Sequence, residues 1–218
     1  MQKSIYSLVL SDGVMAEIDR IAYLRGQNRS QTVNEILAAY VSYTTPEQRI
    51  RTAFERISSM LDGRESFRLI TPPSGTMLSL GSALIYKYNP TVRYSVELFR
   101  DSARGAVGEL RVSMRTRNLA LTSLLVRFYT LFDAVENRVA TTSAVWEEGR
   151  YLRPLCPHLT TGEGALPPEK LGEAVADYIR FFDASLKAFF ANAEDERRAE
   201  NEIGRLYAQY LNSRTVIL

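Results

Sequence analysis

The N-terminal stretch "KSIYSLVLS" contains one predicted β-strand, residues 4–10, with no second strand near it in the sequence. Its apolar side chains alternate with other residues, which is typical of a strand with one buried face. Helical patterns follow at once, so no hairpin partner is available. An unpaired strand leaves its backbone N–H and C=O groups open, and a unit of this size buries too small a core to be stable alone. Residues 1–45 therefore need a partner from outside this stretch.

Two short helices are predicted after the strand. Ser11 is placed to cap the first helix, Asp12 lies in its first turn, and Gly26 is placed to end it. Asn28 is placed to cap the second helix, and Gln31 follows at the spacing of a capping box. The apolar residues of the second helix share one face, and they are Val33, Ile36, Leu37, Tyr40 and Val41.

This order of strand, helix, tight turn and helix resembles the ribbon-helix-helix DNA-binding family of the Arc and MetJ type. The resemblance is carried by "SLVLSDGVMAEIDRIAYLRGQNRSQTVNEILAAYV" and covers residues 4–45 only. It implies an obligate homodimer in which two chains pair their strands into an antiparallel ribbon. That ribbon enters the major groove of double-stranded DNA. The resemblance also implies that Tyr6, Leu8 and Leu10 face the helices.

The resemblance assigns two sets of DNA contacts. The residues implied to face the bases are Lys3, Ile5, Ser7 and Val9. The residues implied to bind a phosphate at the start of the second helix are Asn28, Arg29 and Ser30. Family members usually carry polar or basic groups at the base-facing positions, whereas Ile5 and Val9 can only contact thymine methyl groups and Ser7 alone can hydrogen-bond a base edge. Residues 1–45 have no net charge.

The rest of the chain is predicted to form a second, α+β part. A helix is expected at 46–61 within a helical linker, residues 46–66. Residues 67–218 are expected to form a ligand-binding, partner-binding or oligomerisation domain. Its predicted antiparallel meander has strands at 79–88, 92–100 and 109–117. Its three long helices are expected at 119–143, from Pro168 onward, and at 194–212. The predicted fold is thus α+β and mainly helical.

Positive charge is concentrated in the middle of the chain. Residues 46–118 contain 12 basic and 7 acidic side chains, whereas the whole chain has a net charge of only +2. The apolar residues of the predicted meander share one face, and the other face is mainly basic. The basic residues of that second face are Lys87, Arg93, Arg111, Arg115 and Arg117.

Several kinds of chemistry lack a sequence signal. Cys156 and His158, the only cysteine and histidine, lie in the loop "PLCPHLTTGEG" and are too few for a zinc site or a disulfide framework. No phosphate-binding glycine motif, HExxH or GxSxG is present. We therefore expect that the protein is not an enzyme and binds no metal or cofactor. The sequence also predicts no transmembrane segment or signal peptide, and hence a cytoplasmic protein.

Two functions remain after these exclusions. The first is a dimeric transcription regulator or repressor that binds duplex DNA through its ribbon and carries a C-terminal sensor or interaction domain. The second uses the ribbon only for dimerisation and binds an anionic ligand or nucleic acid on the basic sheet face. A toxin–antitoxin antitoxin fits less well, because about 170 residues after the first module have the pattern of a folded domain.

Overall fold

The computed structural model describes residues 5–63, 67–87, 89–103, 105–139, 143–147, 149–159, 166–212 and 216–218. Its helices are α1 Asp12–Arg25, α2 Arg29–Tyr40, α3 Pro46–Leu61, α4 Leu119–Glu136, α5 Pro168–Ala191 and α6 Glu196–Asn212. Its strands are β1 Phe67–Ser74, β2 Met77–Ala83, β3 Thr91–Ala103, β4 Ala106–Met114, β5 Val145–Glu147, β6 Arg150–Leu155, β7 His158–Leu159 and β8 Val216–Ile217. The predicted α+β class is confirmed. No helix of the described ranges is long and apolar enough to cross a membrane.

The chain divides into two compact units, Met1–Arg49 and Ile50–Leu218. In the first unit, α1 packs against α2. Gly26 ends α1 with a left-handed φ of 61°, which a residue without Cβ adopts at little cost. The Asn28 side chain accepts a hydrogen bond from the Gln31 backbone N–H at 2.9 Å and so caps α2. Both predicted helices are present, but the Ser11 side chain makes no capping hydrogen bond to α1, and the Gln31 side-chain amide donates to Glu35.

The predicted N-terminal strand is not formed in the single chain. Residues 5–10 have no regular secondary structure. The side chains of Tyr6, Leu8 and Leu10, expected to face the helices, are exposed. The physical reason is the one that the sequence indicates, since a β-strand exists only when a neighbour satisfies its backbone groups. None of the described strands of this chain pairs with residues 5–10.

The second unit is built on a six-stranded antiparallel sheet with the strand order β1-β2-β3-β4-β6-β5. The predicted meander is β2, β3 and β4, although β2 ends at Ala83 rather than continuing to residue 88. Strands β1, β5 and β6 are not predicted by the sequence. Proline causes the omission of β1 and β6, because Pro72 and Pro73 in β1 and Pro154 in β6 are turn signals in a sequence. Strand β5 has only three residues, too few for a pattern of alternation. Strand β1 lies at the sheet edge, so Pro72 and Pro73 have no neighbouring strand on one side. Strand β5 pairs with β6 only as far as Leu152, so Pro154 interrupts no hydrogen bonds with β5.

One face of the sheet packs into the core of the second unit. The sheet residues that lie there include those that alternation predicts, namely Val92, Tyr94, Val96, Leu98, Leu110 and Val112. Helices α3 to α6 contribute to the same core, and α3 does so from Ile50 onward through Phe54 and Ile57. Helix α4 ends at Glu136 and not near 143. Tyr88, expected on the apolar face, lies outside the described residues.

A buried ion pair joins α4 to β6 inside this core. The guanidinium of Arg153 donates to both carboxylate oxygens of Glu136 at 3.3 Å, and the two side chains are only 4% and 1% exposed. The Tyr178 hydroxyl donates to the same carboxylate at 3.0 Å and its ring lies 4.3 Å from the Arg153 guanidinium carbon. Arg153 also donates to the backbone oxygen of Leu218 at 2.9 Å. Burial raises the pKa of the Glu136 carboxyl, and the charge of Arg153 opposes that shift.

Removing one member of this pair is expected to be more harmful than removing both. Arg153→Met leaves the Glu136 carboxylate buried without its cation, which costs about 3–5 kcal/mol of unfolding free energy. The double variant Arg153→Met/Glu136→Leu removes the uncompensated charge and is expected to be more stable than Arg153→Met alone. Urea unfolding followed by the fluorescence of Trp146, the chain's single tryptophan, measures both. A double variant as unstable as Arg153→Met would contradict this interpretation of the pair.

Candidate nucleic-acid interfaces

The segment before α1 retains a two-sided pattern although it forms no strand. Ile5 and Val9, on the side implied to face DNA, are fully exposed. On the other side the exposed fraction falls from 82% at Tyr6 to 61% at Leu8 and 40% at Leu10. Ser7 is also exposed, whereas Lys3 lies outside the described residues. A segment of six residues with this alternation can pair with another strand.

Helix α2 is oriented with its apolar face away from α1. Its buried residues are Thr32, Glu35 and Ala38. Helical geometry, at about 100° per residue, puts Leu37 roughly on the opposite side from Glu35. Leu37, Tyr40 and Val41 on that side are exposed, as is Ile36 at its flank, whereas Val33 is half-buried. The apolar stripe that the sequence predicts is therefore present, but this unit leaves most of it exposed.

Glu35 holds the turn between α1 and α2. Its carboxylate is almost fully buried and accepts hydrogen bonds from Gln27 at 3.1 Å and from Gln31 and Arg25 at 3.4 Å. The Gln31 side chain therefore points toward Glu35. These contacts fix the start of α2, where the implied phosphate site lies.

Arg29 at the start of α2 already has an anionic partner. Its guanidinium donates two hydrogen bonds of 2.6 Å to the two carboxylate oxygens of Asp19 on α1. The hydrogen bond from Arg29 holds the pKa of the Asp19 carboxyl below its usual value. Both side chains are exposed, so solvent weakens the pair. A DNA phosphate would compete with Asp19 for Arg29.

The other implied phosphate residues surround the first turn of α2. Asn28 and Ser30 flank Arg29 there, and the Asn28 side chain is used as the cap. The first backbone N–H groups of a helix have no partner within the helix and favour an anion. The geometry of this turn is thus compatible with a phosphate.

The basic sheet face differs from its prediction at four of five positions. Lys87 lies in the loop after β2, and Arg115 and Arg117 follow the end of β4, so none of the three is within a strand. Arg111 lies in β4 but is paired with Glu109 at 2.8 Å and with Glu97 at 3.6 Å. Of the five, only Arg93 lies within the sheet and forms no ion pair with a described residue. The strand ends could not be placed from alternation alone.

A different set of arginines crosses this face. Arg68 in β1 is opposite Gly81, Gly81 is opposite Arg93, Arg93 is opposite Ser113, and Ser113 is opposite Arg150 in β6. We call Arg68, Arg93 and Arg150 the arginine row. Adjacent members are two strands apart, or about 10 Å. All three are exposed, and none forms an ion pair with a residue of the described ranges. Arg68 and Arg150 are missed in the sequence because β1 and β6 are.

Other polar clusters of the second unit have structural surroundings. Lys187 donates to Asp183 at 2.6 Å and to the Ser82 hydroxyl at 3.0 Å, and Ser82 is buried. Because Ser82 is buried, this Ser–Lys contact lacks access for a substrate. In the described part of the chain no group of three or more His, Cys, Asp or Glu side chains is arranged to hold a metal ion. Cys156 is a free, half-buried thiol.

Comparisons with protein-family models, with curated proteins and with solved structures give no match to this chain. Its function therefore has to be inferred from its own residues.

Proposed function

We propose that the protein is a dimeric ribbon-helix-helix regulator that binds duplex DNA through its N-terminal unit. The observation that carries the proposal is the outward apolar face of α2, in a unit whose residues 5–10 are exposed and have no partner strand in the described chain. A second copy supplies a cover for the first and a partner for the second. Contiguous exposed apolar surface of this kind marks an interaction site.

In this dimer the ribbon reads the base sequence, and the start of α2 positions the protein on the DNA backbone. Ser7 donates or accepts a hydrogen bond at a base edge, while Ile5 and Val9 contact thymine methyl groups. The first turn of α2 binds a phosphate of the DNA backbone. Arg29 exchanges Asp19 for that phosphate, and this exchange reduces the net gain from the interaction. The second unit acts as the sensor or interaction domain of the regulator.

The arginine row supports a second candidate function. In this alternative the N-terminal unit serves only for dimerisation, and nucleic acid or another polyanion binds the open sheet face of the second unit. Arg68, Arg93 and Arg150 are exposed, unpaired within the described ranges and regularly spaced. Ser113, between Arg93 and Arg150, is small, whereas the side chains of Ile70 and Thr91 pack over Gly81 between Arg68 and Arg93.

Dimerisation through α2 is expected to fail when a charge is placed on its outward face. Leu37→Glu puts a carboxylate into the proposed interface, where an unpaired charge is costly, and the protein is expected to become monomeric at micromolar concentration. Ala39→Glu places the same charge on an exposed position at a different side of α2 and is expected to leave a dimer. Light scattering coupled to size-exclusion chromatography measures both masses. A monomeric parent protein, or a dimeric Leu37→Glu variant, would refute the proposed interface.

DNA binding is expected to depend on the N-terminal unit. The parent protein should prefer a fragment from upstream of its own gene over a random duplex, measured by fluorescence anisotropy across a range of salt concentrations. Ser7→Ala should reduce this preference. Arg29→Gln should weaken binding to both duplexes. It should also lower the salt slope by about 1 for each phosphate that the variant no longer neutralises.

Asp19 provides the sharpest comparison, because it competes with DNA for Arg29. Asp19→Asn is expected to raise DNA affinity a few fold, since it frees Arg29 and removes a negative charge. Glu17→Gln removes the same charge from α1 but acts on Arg20, which is its partner at 2.9 Å. A larger gain for Asp19→Asn than for Glu17→Gln is the predicted result. Equal gains would show that Arg29 does not contact the phosphate.

The sheet face is tested in the same assay. Arg93→Gln and Arg150→Gln are expected to leave DNA affinity unchanged if the N-terminal unit binds DNA. If these two variants weaken binding while Ser7→Ala and Arg29→Gln do not, the second candidate function replaces the first. Absence of any preference over random duplex would rule out a sequence-specific regulator.

A further inference from the structure

A cavity of about 860 Å³ lies in the second unit, between the turn that joins α5 to α6, helix α4 and the loop after β2. This volume is within the range of about 300–1,000 Å³ that is typical of small-molecule sites. Apolar side chains of Tyr86, Leu124 and Phe190 line part of it. The rings of Tyr86 and Phe190 pack edge to face with their centroids 5.4 Å apart, which fixes the apolar wall.

Three cations line the same cavity, and they come from three different elements. They are Lys87 of the loop after β2, Arg127 of α4 and Arg198 of α6. Arg127 is shared with Glu196 at 3.3 Å. Lys87 and Arg198 form no ion pair among the residues that the structure describes, although the charge of Arg198 helps to lower the pKa of the Glu202 carboxyl. Their two charges are therefore available to a ligand.

The acidic residues of the lining only partly balance these cations. Asp195 is used by the fold, because its carboxylate accepts a hydrogen bond from the Arg198 backbone N–H at 3.0 Å and caps α6. Glu194 is the second acidic lining residue. Because Glu196 already pairs with Arg127, the site has no large positive excess, which suits a singly charged anion held by Lys87 and Arg198 better than a phosphate dianion.

We propose that this cavity binds a small monocarboxylate with an aromatic or aliphatic body. The ligand carboxylate lies between Lys87 and Arg198, and its apolar body packs on Tyr86 and Phe190. The role of this ligand as the effector of a sensor domain rests on the proposed function. The binding itself needs no DNA, so it is tested separately from DNA recognition.

The test uses 4-phenylbutyrate as the probe and the full chain as the receptor, with affinity measured by ligand-observed NMR in the absence of DNA. Dissociation constants are expected in the millimolar range or below for 4-phenylbutyrate. The neutral amide of the same body, 4-phenylbutyramide, lacks the charge and should bind at least about fivefold more weakly. Acetate lacks the apolar body and should also bind more weakly.

Variants of the cavity wall locate the site. Lys87→Gln and Arg198→Gln are each expected to weaken 4-phenylbutyrate binding about fivefold. Arg197→Gln is the matched control, because Arg197 is next to Arg198 in the sequence and carries the same charge but does not line the cavity. This variant should leave the affinity for 4-phenylbutyrate unchanged. All three positions are exposed, so the fold is retained.

Four results would overturn the proposal. They are no 4-phenylbutyrate binding at about 10 mM, equal binding of the acid and the amide, equal binding of acetate, or equal effects of Arg197→Gln and Arg198→Gln. None of them bears on whether the N-terminal unit binds DNA. Conversely, a protein that fails to bind its upstream DNA but binds 4-phenylbutyrate in this way keeps the site and loses only its role as an effector site.

Discussion

The outward orientation of the α2 apolar stripe is the constraint on which the N-terminal unit depends. Glu35 and Thr32 turn toward α1, and Leu37 and Tyr40 consequently turn toward solvent. Glu35 is held there by hydrogen bonds from the α1–α2 turn, so α2 cannot rotate to bury its stripe without breaking them. A unit of fewer than fifty residues buries too little apolar surface to be stable alone. A second copy of the same unit would satisfy the stripe and the unpaired segment 5–10 together.

The second unit is constrained differently, because it encloses its own core. A six-stranded sheet is covered on one face by helices, and the buried Arg153–Glu136 pair connects that sheet to α4. Tyr178 from α5 shares the Glu136 carboxylate, so three elements depend on one charge. The open sheet face and the cavity beside α6 are then surfaces that this core leaves free for binding. The two units thus differ in what they need from a partner.

Local signals account for the parts of the fold that could be predicted. Gly26 and Asn28 mark the turn between α1 and α2 because each acts within a few residues of its own position. Pro154 leads to a wrong prediction because its effect is not local. Whether it disrupts β6 depends on whether the neighbouring strand β5 extends as far as residue 154. The partner of Arg29 is Asp19, ten residues away, and only the packing of α1 on α2 brings them together. The direction of the α2 stripe and the arginine row likewise depend on packing and on strand register, which no local pattern contains.

An intermolecular ribbon is tested most directly at its backbone. A sample that mixes isotope-labelled and unlabelled chains allows NMR to detect contacts between copies only. A paired ribbon predicts intermolecular contacts between Hα atoms around Ser7, together with slow hydrogen exchange at alternate amides of residues 5–10. Random-coil chemical shifts, fast exchange and no intermolecular contacts in this segment would contradict it.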